Sequence, residues 1–116
     1  MPQTTPIDTS VYRELEEAAG PEFAGELVDT FIEEVPTMLA ELRSARATAQ
    51  ADSFRRAAHS LKSNSLTFGA TALAALAREL ELGGLRADAS QDEQVIAALQ
   101  AEFDRAAAAL KALRHG

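Results

Sequence analysis

Cysteine is absent, which excludes disulfide frameworks, thiolate chemistry and cysteine-ligated metals. Histidine is scarce: His59 and His115 are the only two, with no His-Glu-x-x-His pairing. A metal-dependent hydrolase needs clustered ligands, and the sequence does not supply them. Neither a Gly-rich phosphate loop nor a serine–histidine–acid constellation is legible. No apolar run approaches the roughly 18 residues that a membrane span requires. The opening stretch, MPQTTPIDTS, lacks the basic and apolar regions of a signal peptide. The expectation is a cytoplasmic protein with no membrane association. Basic residues are outnumbered, with 11 Lys and Arg against 18 Asp and Glu and a net charge of -7. Such a surface repels phosphate backbones, so nucleic acid is an unsuitable partner. The positions of the few cations therefore carry information.

A chain of 116 residues fits one domain and can bury a single apolar core without staples. β-Branched residues are sparse, and no stretch alternates with the period of a half-buried strand. Helical spacing predicts five helices. Residues 1–7, with two prolines and two threonines, read as a loose arm before a helical unit over 8–114. A short helix over 9–19 can be capped by Asp8, Thr9 or Ser10, with Val11, Leu15 and Ala18 on one face. Gly20 ends it, and Pro21 suits the first turn of the next helix. That helix, 21–48, carries a stripe of Phe23, Leu27, Val28, Phe31, Ile32, Val35, Leu39 and Leu42. The stripe stays in phase across Pro36, which predicts one bent helix rather than two. Helices over 52–67, 70–83 and 91–114 follow, with Gly69 closing the third and a loop over 83–90. Four long amphipathic helices with short connections imply an all-α fold, an antiparallel four-helix bundle with the short first helix covering one end.

The segment AAHSLKSNSLTFGA, residues 57–70, holds His59. At about 100° per residue, Phe54, Ala57, Leu61, Ser65 and Phe68 cluster on the side opposite this ring and face the core. Asp52, Arg55, Arg56, Lys62, Ser63 and Leu66 fall within roughly 60° of it. His59 therefore points outward among cations on an acidic protein. Its small neighbours Ala58, Ser60 and Ser63 leave the ring accessible. A lone helix histidine is most often an ordinary surface residue. The gathered cations, and apolar Leu66 on the same face, suggest a docking surface instead. A neutral imidazole is a nucleophile, and Lys62, one turn away, can meet the charge of an incoming phosphoryl group. Ser65, on the inward side, reads as a small packing residue bonded back to a helix carbonyl. Asn64 borders the core. His115, next to the end, is expected to fray.

These residues resemble the histidine-containing phosphotransfer (HPt) domains of two-component phosphorelays. Their motif is approximately His-x-Leu-Lys-Gly-x-Ser, then Gly-Ala and a leucine-rich helix ending in Leu-Glu. His59, Leu61, Lys62, Ser65, Gly69, Ala70, Leu73, Leu80 and Glu81 match it. FIEEVPTMLAEL is similar to the family's second helix, interior proline included, and RRAAHSLK is likewise similar. The resemblance covers about residues 7–113. It implies that His59 accepts a phosphoryl group on Nε2 and that Lys62 stabilises it. Phosphate would come from the phosphoaspartate of a response-regulator receiver domain and leave reversibly to another. No cofactor is expected on this chain, because the Mg²⁺ of such transfers belongs to the receiver. Arg55, Arg56, Ser63 and Leu66 are the expected docking residues, the two arginines steering the acidic receiver site. Val11 and Tyr12 either extend that face, as the first helix does in the family, or only cover the bundle end. One position departs: the family commonly has glycine four residues after the histidine, and here Ser63 stands there. That puts rate and partner preference in doubt more than activity.

A phosphocarrier of this kind is not an enzyme in its own right. Its expected partners are receiver domains and a hybrid histidine kinase, and a self-contained bundle with one acceptor suggests a monomer. Two alternatives remain at this point. One is an interaction module that binds a receiver without carrying phosphate. The other is a phosphoacceptor domain charged directly by a histidine kinase.

Overall fold

The computed structural model describes residues 6–85 and 89–115, the side chains of Ala89 and His115 excepted. The expected fraying of His115 and part of the 83–90 loop fall outside that set. Among the described residues there are five helices and no strand: α1 Thr9–Ala19, α2 Pro21–Ala47, α3 Ala51–Thr67, α4 Thr71–Gly83 and α5 Ala89–His115.

The local signals act where the residues place them. Asp8 caps α1, its Oδ1 accepting from the Ser10 amide at 3.0 Å and the Ser10 hydroxyl at 2.6 Å. Pro21 opens α2, where a missing N–H leaves no bond unmade. Pro36 lies inside α2 without ending it, because the apolar stripe on both sides of it is held by the same core. α5 begins at Ala89 rather than 91, and Asp92 is in its first turn.

Helices α2 to α5 pack in ring order, each touching two of the others, and α1 lies against α2 and α3. Val35, Leu39 and Leu42 of α2, Phe54 and Leu61 of α3, Leu73 and Leu80 of α4, and Leu99 and Leu110 of α5 fill the centre without solvent exposure. Each such side chain contributes about 1.5–3 kcal/mol relative to an exposed one. Helices of this length are marginal alone, so this shared burial rather than propensity holds them. Phe31 ties the end of the core together, with ring centroids 4.8 Å from Phe68 and 6.0 Å from Phe103.

Three expectations need correction. Phe23 belongs to the stripe by spacing, yet it is 53% exposed. It sits in the first turn of α2, where Ala24 and Gly25 take the buried side, and at about 100° from Ala24 it falls off the edge of the inward face. On α1 the buried residue is Tyr12, while Ala18 is exposed, so this helix is rolled relative to the expected face. Most of the 1–7 arm lies outside the described residues, but Ile7 is buried in the core and does not behave as part of a loose arm.

Gly69 sets the corner between α3 and α4. Its φ is +77°, a left-handed value, and its carbonyl accepts from the Asp8 amide at 2.7 Å. A Cβ there would stand 2.6 Å from the Asp8 carbonyl oxygen and 3.0 Å from Cβ of Val11. Gly69→Ala is therefore expected to destabilise by at least about 1–2 kcal/mol, from the left-handed conformation and from α1 being pushed off. Urea unfolding reads this directly. An unchanged midpoint would mean that α1 is not anchored at this corner.

Candidate functional site

His59 lies midway along α3, a helix whose inward face is Phe54, Ala57, Ala58, Leu61 and Ser65. With those positions committed to the core, the ring must face out, and its side chain is 58% exposed. Ser65 is buried, and its hydroxyl donates to the Leu61 carbonyl at 2.7 Å, the packing role expected of it. Asn64 donates to the Ser60 carbonyl at 2.9 Å.

The residue that organises the site is Glu81 of α4. Its Oε2 lies 2.7 Å from His59 Nδ1, and its Oε1 lies 2.7 Å from Lys62 Nζ. One carboxylate thus spans a histidine and a lysine that are one turn apart on α3. The Lys62 ammonium, then the His59 ring, hold the Glu81 carboxyl below its ordinary value of 4.5. Near neutrality Glu81 is an acceptor only, so Nδ1 must carry the hydrogen of that bond. In a neutral ring the lone pair is then on Nε2, the nitrogen pointing away from Glu81.

The spacing of α3 and α4 explains why these groups meet. The two helices form a hairpin about Gly69, and His59 and Glu81 stand at similar distances from that corner. Glu81 matched a motif position but received no role from the sequence. Counting outward from the corner on both arms was the signal that could have found it.

The remaining expected residues are disposed unequally. Arg55, Arg56, Ser63 and Leu66 are all exposed on the same outer side of α3 as the ring. Arg55 makes a long 3.8 Å ion pair with Asp52, both side chains largely in water, which holds it weakly. Arg56 Nε donates to the Asp52 carbonyl at 3.4 Å. Tyr12 does not join this face. It is buried, its hydroxyl has no partner, and burial followed by the Glu16 charge pushes its ionisation upward. Val11 is half-buried against the same corner. Of the two readings given to α1, covering the bundle end is the one the structure supports for Tyr12.

Among the described residues no group of three or more His, Asp or Glu is placed to hold a metal ion, and no helix is long and apolar enough to cross a membrane.

Comparisons with known proteins bear on the family and the fold. Residues 26–109 match the family model of the Hpt domain. The fold is similar to the crystal structure of histidine-containing phosphotransfer protein B (HptB) from Pseudomonas aeruginosa PAO1. The TM-score is 0.82 and the identity 27%, over 97% of each chain. No curated protein matches the sequence.

Proposed function

The chain belongs to the Hpt domain family, and from that premise we propose that it is a phosphorelay carrier whose acceptor is His59 Nε2. The family places it in histidine phosphotransfer of two-component signalling, as a phosphocarrier rather than a catalyst. The observation that carries the finer reading is the Glu81 carboxylate on Nδ1, which leaves Nε2 as the free nucleophile. We read the ring of α2 to α5 as the antiparallel four-helix bundle that holds this pair of helices in register.

In the proposed step the Nε2 lone pair attacks the phosphorus of an aspartyl phosphate on a receiver domain. The N–P bond forms as the P–O bond to the aspartate breaks, and that carboxylate leaves with the electron pair. Nδ1 keeps its proton, so the ring becomes formally cationic, and Glu81 faces that charge at hydrogen-bond distance. Lys62 lies on the same helix face and serves the phosphoryl oxygens by exchanging Glu81 for them. The reverse attack by a second receiver's aspartate discharges the carrier. Positioning and charge balance are the whole task, as is general for phosphoryl transfer. Mg²⁺ belongs to the receiver in this scheme. Arg55, Arg56, Ser63 and Leu66 are the proposed contacts with it. Ser63 adds only a hydroxymethyl group where glycine is common.

Glu81→Ala is expected to slow labelling of His59 by about tenfold or more, the worth of a charge-assisted bond. Glu81→Gln keeps an acceptor for Nδ1–H and should recover part of the rate. The same clamp has a pH signature. Because the folded Glu81 value is lowered, its contribution to stability is full above about pH 4.5 and lost as pH falls through the lower folded value. Acid unfolding of the Glu81→Gln protein should lack that component, and identical acid profiles would remove Glu81 from the clamp.

The reading itself is tested with a panel of radiolabelled phospho-receivers. Acid-labile, alkali-stable label on the protein supports phosphohistidine. Tight receiver binding without label would make this an interaction module instead.

A further inference from the structure

The Glu81 contact orients the His59 ring as well as fixing its hydrogen. Nδ1 is held toward α4, so Nε2, across the ring, is directed away from Glu81. By helical phase Lys62 lies about 60° from the histidine on the Glu81 side, and Ser63 lies about 40° from it on the other. A phosphoryl group on Nε2 therefore extends on the side of Ser63.

The positions one turn from His59 along α3 are Arg55, Arg56, Lys62 and Ser63. Arg55 pairs with Asp52 at 3.8 Å, Arg56 Nε donates to the Asp52 carbonyl at 3.4 Å, and Lys62 Nζ is 2.7 Å from Glu81 Oε1. Ser63 is exposed, and its hydroxyl is uncommitted. Helical serines and threonines can spend that hydroxyl on the carbonyl four residues back. Ser65 does so on Leu61 at 2.7 Å, and Thr67 on Ser63 at 3.2 Å. The equivalent acceptor for Ser63 is the carbonyl of His59 itself. Among the described residues the Ser63 hydroxyl bonds neither to it nor to any other group. Side chains four apart on a helix are neighbours, and each leans toward the helix N-terminus. The free hydroxyl thus leans toward the histidine.

We infer that the Ser63 hydroxyl donates to a phosphoryl oxygen carried on His59 Nε2 and lengthens the life of the charged carrier between receivers. The inference rests on the phosphotransfer reading above. Lys62 must give up Glu81 to reach the phosphoryl group, whereas Ser63 gives up no bond within the protein. Spontaneous discharge is attack of water on phosphorus. The N–P bond breaks, its electron pair returns to Nε2, Nδ1 keeps its hydrogen, and the water departs with the phosphoryl group as dihydrogen phosphate. In a loose transition state the departing group approaches metaphosphate and loses negative charge as that electron pair passes to the ring. A donor on its oxygens is then worth more before departure than during it, so the bond slows the loss. Glycine, common at this position in the family, offers no such donor.

The test is the lifetime of the phosphohistidine with no receiver present. The protein is charged with phosphoramidate, a small donor that needs no docking, freed of it, and followed by phosphorus NMR near neutral pH. Ser63→Ala and Ser63→Gly are both expected to shorten the lifetime by about three- to tenfold, the worth of one solvent-exposed hydrogen bond. Ser63→Thr, which restores a hydroxyl, should recover most of it. Ser60→Ala removes an exposed hydroxyl that does not face the ring and should change nothing. The alanine and glycine variants also separate the bond from the helix, since relative to serine alanine strengthens a helix and glycine weakens it. The pH at which the phosphoryl resonance titrates should rise in both, because a donor to the charged form is lost. Unchanged lifetimes in both variants overturn the inference. So do opposite changes in the two, which would trace the effect to the helix, and an equal loss in Ser60→Ala, which would trace it to general hydration. A wild-type protein labelled by neither phosphoramidate nor any phospho-receiver overturns the phosphotransfer reading, and this inference with it.

Discussion

His59→Gln is expected to abolish phosphate uptake and leave the fold standing. The ring is not part of the core, its side chain is 58% exposed, and its Nδ1 bonds Glu81. Substitutions at such positions usually change stability by about 0.5 kcal/mol or less. Glutamine is of similar length, and its amide can donate to the Glu81 carboxylate in place of Nδ1. It offers no nitrogen lone pair for attack on phosphorus, because the amide nitrogen is conjugated with its carbonyl. Lys62 and Glu81 remain, so loss of label isolates the nucleophile from its surroundings. The measurement is radiolabel from a phospho-receiver and from phosphoramidate, with helical content and the melting midpoint recorded on the same preparation. A label that persists on a folded variant would move the acceptor, and His115 is the only other histidine.

Asp92→Ala is expected to cause the largest loss of stability of any single charged-residue change. Asp92 is in the first turn of α5 with no exposed side-chain surface, and Arg46 Nε of α2 lies 3.4 Å from its Oδ2. This joins the end of α2 to the start of α5. A carboxylate at a helix N-terminus also faces the positive end of the helix dipole. Removing it leaves the Arg46 guanidinium beside a void at an end already lined by Ile96 and Ala97. Breaking a buried ion pair from one side costs about 3–5 kcal/mol. Arg46 retains 16% exposure and can turn toward water, which favours the lower end, about 3 kcal/mol. That corresponds to a fall in melting midpoint on the order of 10 °C. Phosphate uptake at low temperature should persist, because the pair is at the α2–α5 end and the acceptor is on α3. A midpoint unchanged within a degree or two would show that the pair contributes no net stability. Loss of uptake in a folded variant would show that it reaches the site.

Much of this molecule was legible along the chain because helices are local. The capping residue Asp8, the Gly20–Pro21 corner and the Gly69 corner act within a few residues of themselves, and the helix boundaries follow from them. The outward direction of His59 was legible for the same reason. A 3.6-residue period fixes which side Phe54, Leu61 and Ser65 occupy, and the ring is opposite. Spacing does not give how wide a face the neighbouring helices cover, so Phe23, at the edge of the stripe beside buried Ala24 and Gly25, ended in water. It does not give the roll of a short helix held mainly by one neighbour, so the inward face reads as Val11, Leu15 and Ala18 where Tyr12 is the buried residue.

What the sequence determined by itself was an all-helical chain with one outward histidine among cations, since periodicity and charge are properties of near neighbours. What only the tertiary structure decided was the company that histidine keeps. Glu81 is 22 residues from His59 along the chain and 2.7 Å from it in space. The Arg46–Asp92 pair and the buried Ile7 are of the same kind. Each depends on how far one helix slides and turns against the next, and that is set by the joint packing of side chains from every helix in the core.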